Sequence, residues 1–164
     1  MNKNQKADTV YMVEMALLIA VILIMAFTPI GYIRTLGLEI TLIVVPVAVG
    51  AVTLGPAAGA ALGAVFGITS FIQCFGISPF GAALLAINPI HTFIVCVLPR
   101  TLMGWLTGLL YQGFFKCGPL KKGALALANL CCPLLNTLFF MGTLVLFFYQ
   151  TEYVQGIAVE SEER

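Results

Sequence analysis

The chain has 164 residues, of which 60% are hydrophobic and 9% charged, and its net charge is +1. A soluble domain carries about 25% charged residues, so these few charges cannot cover a water-facing globule, and lipid must solvate much of the surface. A net charge this close to zero also gives no basis for binding nucleic acid.

The expected fold is an all-α integral membrane protein, a polytopic bundle with five transmembrane helices in residues 1–149 and a charged tail over 150–164. The first apolar segment, Tyr11–Ile30, is long enough to span a bilayer and exceeds a signal-peptide core, and no small-residue cleavage site follows it. The second runs from Leu38 to Leu54, with Pro46 expected to kink it. Gly55-Pro56 makes a tight connection to a third segment, Pro56–Phe75, since proline suits the first turn of a helix. Gly76–Pro89, rich in Gly, Ser and Pro, reads as a connection. The fourth and fifth helices are expected over Pro89–Phe114 and Gly123–Tyr149. Lys3 and Lys6 flank the first helix, and Lys116, Lys121 and Lys122 lie between the fourth and fifth. The positive-inside rule puts both clusters, and the N-terminus, in the cytoplasm. The segment Gly31–Gly37, the segment Gly76–Pro89 and the acidic tail (Glu160, Glu162, Glu163) then face outside.

Small residues mark helix contacts. Gly55, Gly59, Gly63 and Gly67 recur every fourth residue and form a ridge without side chains, with Gly104 and Gly108 as a second pair. Such ridges let backbones touch where lipid supplies no hydrophobic drive between helices. Ala16 and Ala20 make a flat patch on the first helix, suited to internal packing or to a partner helix.

Polar residues at membrane depth suggest a site. Arg100 lies mid-way along the fourth helix after Pro99, and no acidic residue falls inside a helix core. An intramembrane arginine either faces a functional cavity, where a bound anion can supply the counter-charge, or caps carbonyls of a broken helix. Asn129, Asn136 and Thr143, seven apart, align along the fifth helix and either line a cavity or bridge helices. Thr69, Ser70 and Gln73 share a face at the end of the third helix, Asn88 and His91 open the fourth, and Glu39 opens the second. Their convergence toward the outer half of the bundle points to a polar solute site. Cys74, Cys96, Cys117, Cys131 and Cys132 show no metal-ligand spacing and read as packing residues. No metal or cofactor is expected. No nucleophile–base motif or ATP-binding loop is present, so an enzyme built on His91 and Arg100 ranks last, and a structural or assembly subunit is the main alternative to solute capture.

The Ala16–Ala20 pair, the Leu38–Ser70 stretch with its Leu-Gly-Pro turn and glycine ridge, PRTLMGWLTGLL in the fourth helix and LLNTLFF in the fifth resemble the substrate-binding (S) component of energy-coupling factor (ECF) vitamin transporters. The resemblance covers about Met15 to Tyr149 and implies a six-helix bundle that holds a vitamin or related micronutrient near its outer surface. It also implies a prokaryotic plasma membrane, a transmembrane coupling subunit docked at Ala16 and Ala20, two ATPase subunits, and release of cargo by toppling of the loaded bundle. The second and third segments look closest to members that handle pantothenate; riboflavin and folate are the other candidates. Against the family's six helices the sequence offers five, so either it stops before a sixth or the count differs.

Overall fold

The computed structural model describes residues 3–28, 32–35, 38–116 and 123–148. Six helices are described: α1 (Lys3–Phe27), α2 (Val44–Thr53), α3 (Pro56–Gln73), α4 (Pro79–Ile87), α5 (Pro89–Lys116) and α6 (Ala124–Phe148). Four of them (α1, α3, α5 and α6) are long and apolar enough to cross a membrane. Between α1 and α2 lies an antiparallel hairpin of β1 (Tyr32–Thr35) and β2 (Leu38–Thr41), in the register Ile33↔Ile40 and Arg34↔Glu39. The chain is thus an all-α polytopic membrane bundle carrying one short hairpin.

Two segments differ from the sequence expectation. The second hydrophobic segment is helical only from Val44; Leu38–Thr41, which belonged to the expected helix, pairs as β2 with a strand from the expected loop. Pro46 therefore sits in the first turn of α2, where a missing N–H disturbs no ladder bond, and it is not a mid-helix kink. At about 1.5 Å per residue, α2 covers only half the hydrocarbon thickness.

The second difference is α4, formed inside Gly76–Pro89. Ser78 caps it by accepting a hydrogen bond from the Gly81 N–H at 3.3 Å, with Pro79 at the first helical position. It ends at Asn88 (φ −158°, ψ 109°), because a residue before proline avoids the helical region. With α4 the count reaches six. The basic residues Lys121 and Lys122, Cys117 and the tail 150–164 lie outside the described residues.

The glycine ridge is used inside the chain. An added Cβ at Gly59 would strike the carbonyl of Gly104, and one at Gly63 would strike the carbonyl of Arg100. At Gly67 it would come within 2.6 Å of the Val97 Cα, and at Gly108 within 2.6 Å of the Pro56 Cα. Helices α3 and α5 therefore touch backbone to backbone over about three turns, antiparallel. Gly55 serves differently: its φ of 102° turns the chain from α2 into α3, with no atom near its missing side chain. The main core gathers Ile22 and Ala26 of α1, Val47 of α2, Leu62 and Phe66 of α3, Met103 of α5 and Cys132 of α6. A smaller cluster joins Leu84, Val95 and Leu144 of α4, α5 and α6.

Candidate functional site

Positive charge enters the bundle from α5. Arg100 is half-buried, its Nη1 donates to the Cys96 carbonyl at 2.9 Å, and its guanidinium lies 4.7 Å from the Phe66 ring centroid and 5.4 Å from that of Phe140. The two rings belong to α3 and α6, so one cation ties three spans together. Cation–π contacts with partly desolvated rings contribute roughly 1–2 kcal/mol each. Pro99 removes the N–H that would serve Val95, and Arg100 places a side-chain donor on the carbonyl beside it.

One turn from Phe140 along α6 stands Asn136. It is half-buried, and its Oδ1 is a buried acceptor with no hydrogen-bond donor among the described residues. Leaving such an acceptor unsatisfied costs about 1–3 kcal/mol. Its expected companions differ. Asn129 is exposed on the outer surface of α6, and the Thr143 hydroxyl donates to the Phe139 and Phe140 carbonyls of its own helix. A seven-residue repeat drifts by about 20° per heptad on a straight helix, and Pro133 interrupts α6 between Asn129 and Asn136. The three residues therefore do not present one polar face.

The polar residues where α1 and α3 end and α5 begins have structural partners. The buried Thr69 hydroxyl donates to the Phe66 carbonyl at 2.8 Å. The buried Gln73 side chain donates to the Ala26 carbonyl, filling one of the orphan acceptors at the end of α1. Ser70 is buried beside it. Asn88 caps α5, its Oδ1 accepting from the N–H groups of Ile90 at 3.1 Å and His91 at 3.4 Å. The His91 ring stacks on Phe147 of α6 at 5.0 Å. Glu39 lies on β2 opposite Arg34, and its side chain is outside the described residues.

Arg100 contacts Phe140, which lies one turn beyond Asn136 on α6, while Asn88 and Gln73 are occupied as cap and tie and Asn129 is exposed. The aromatic floor, Phe66 and Phe140, was not singled out in the sequence. The position of Phe140 four residues after Asn136 was the available signal. An apolar groove lies elsewhere, lined by Leu18, Val21 and Met25 of α1, Leu42, and Val45, Pro46 and Val49 of α2. It contains no polar group that would orient a solute.

On α1, Ala16 and Ala20 are exposed among the exposed Val13, Leu17 and Ile24, so the small patch is open to whatever lies outside the bundle. Among the described residues no group of three potential metal ligands occurs.

The spanning helices and the glycine seam define a polytopic membrane protein of the all-α class. The profile of the ECF transporter substrate-specific component matches residues 10–161, nearly the whole chain, and the chain belongs to that family. It is accordingly a substrate-binding subunit of a transporter rather than an enzyme, and it works with a membrane coupling subunit and ATPases. No curated protein matches the sequence.

Proposed function

We propose that this subunit captures an anionic micronutrient of the vitamin class, pantothenate-type in preference to riboflavin or folate, on the Arg100–Asn136 side of the bundle. The observation that carries this reading is the unsatisfied Asn136 Oδ1, buried one turn from the ring that supports the Arg100 guanidinium. A cargo carboxylate gains a positive partner from Arg100, and a cargo hydroxyl or amide N–H fills the Asn136 acceptor. Thr69, Ser70, Gln73, Asn88 and His91 frame the neighbouring end of the bundle, with Glu39 on the hairpin beyond. The protein sits in a prokaryotic plasma membrane with its N-terminus cytoplasmic, and the exposed Ala16–Ala20 patch docks the coupling subunit, which two ATPases drive.

The alternative of a non-transporting assembly subunit drew on the glycine ridge as a docking surface. That ridge is consumed by the α3–α5 contact and is not available to a partner. The test of capture is mass spectrometry of small molecules released from the purified protein. A carboxylate-bearing metabolite, held by the wild type and lost from Asn136→Leu, is the expected result. A wild type that releases no metabolite, and is not stabilised by any anionic vitamin, contradicts it.

A further inference from the structure

We propose that Cys74 and Cys96 are a reactive thiol pair that closes to a disulfide across the α3–α5 contact when exposed to a small disulfide oxidant. Both are buried free thiols, and their sulfurs face each other at 3.9 Å from opposite helices. A disulfide needs about 2.05 Å between sulfurs, so each side chain must move about 1 Å. Glycine contacts hold both thiols in place. Gly67 lets α3 meet α5 beside Cys96, where an added Cβ would lie 2.9 Å from the Cys96 carbonyl oxygen. Gly81 lets the first turn of α4 rest on Cys74, where an added Cβ would fall 2.5 Å from its sulfur. Cys74 also donates to the Ser70 carbonyl at 3.3 Å, which keeps its side chain folded back along α3 toward Cys96.

Cys131 and Cys132 form the contrasting pair. They are neighbours in sequence, but consecutive residues on a helix point about 100° apart, and only Cys132 is fully buried. Adjacency in the chain gives them no facing geometry. Cys74 and Cys96 are distant in the chain and have it.

The chemistry balances. One cysteine thiolate attacks a sulfur of the oxidant and expels half of it as a thiolate, leaving a mixed disulfide on the protein. The second cysteine loses its proton, attacks the protein-bound sulfur and expels the other half. Two protein thiols are oxidised, one oxidant disulfide is reduced to two thiols, and those thiols take up the two protons. The product staples the end of α3 to α5 beneath α4, one turn from Arg100.

The test treats the full-length protein in detergent with 2-hydroxyethyl disulfide, blocks the remaining thiols by alkylation, and maps cross-links by mass spectrometry. The expected result is a Cys74–Cys96 link with loss of two hydrogens, a rise in melting temperature reversed by dithiothreitol, and neither effect in Cys74→Ser or Cys96→Ser. If either variant fails to fold, the map of the wild type decides alone. Thiols that stay open to alkylation, a reaction that stops at the mixed disulfide, or a link from either cysteine to Cys131 or Cys132 overturns the proposal.

Discussion

Helices α3 and α6 are both apolar spans, yet they belong to the bundle in different ways. Half of the α3 span is buried, through glycines that bring its backbone against α5; only 11% of the α6 span is buried, and Leu130, Leu134, Leu138 and Leu146 project outward. Contact between backbones leaves no side chain able to move aside, so the α3–α5 seam is rigid. Contact through side chains, as between α6 and its neighbours, tolerates a polar group such as Asn136 whose acceptor is unfilled. The seam sets the position of Arg100, and α6 brings the Phe140 ring against its guanidinium.

Breaking the seam has the largest expected effect. Gly63→Leu drives a side chain into the Arg100 carbonyl and should destabilise the protein by about 3 kcal/mol or more, seen as loss of a monodisperse peak in size-exclusion chromatography. Gly142→Ala on α6, where nothing lies near the missing Cβ, should leave the melting temperature unchanged or slightly raised.

Next comes the exposed Ala16–Ala20 face of α1. Ala20→Leu should abolish co-purification with the coupling subunit while cargo affinity stays at the wild-type value; retained co-purification removes Ala20 from the docking face. Arg100→Ala tests the contact between the two regions. It should weaken an anionic vitamin roughly 100-fold, about 3 kcal/mol at a charge-assisted contact, and a neutral analogue far less, read by isothermal titration. A smaller loss belongs to the α2–α3 turn: Gly55→Ala strains a φ of 102° at an otherwise open position and should cost about 1 kcal/mol, measured as a modest fall in melting temperature.

The seam was readable because glycines spaced by four residues leave a visible trace in sequence, and the Leu-Gly-Pro turn fixed where α3 begins. Its partner surface was less so, since Gly104 and Gly108 show only that a second smooth face exists. The hairpin escaped because Leu38–Thr41 was joined to the apolar run that follows it, although its residues alternate apolar and polar (Leu38, Glu39, Ile40, Thr41), the pattern of a half-buried strand over too few positions to stand out. Helix α4 escaped because Ser78-Pro79 was read as loop chemistry, although a serine followed by proline also opens a helix. Within the candidate site, the depth of Arg100 in the bundle was legible, but its two aromatic neighbours come from helices that are distant in the chain. Asn129 is exposed while Asn136 is half-buried, since a seven-residue repeat drifts around an α-helix by about 20° per heptad.

The most direct measurement of the central claim is the affinity of the purified subunit for pantothenate, compared between wild type and Asn136→Leu. Occupied by cargo, the buried amide oxygen gains a donor, so the substitution should weaken binding by roughly tenfold or more while the variant melts at or above the wild-type temperature, having lost an unsatisfied buried acceptor. Equal affinities for the two proteins, or no binding of any anionic vitamin by the wild type, would contradict the account.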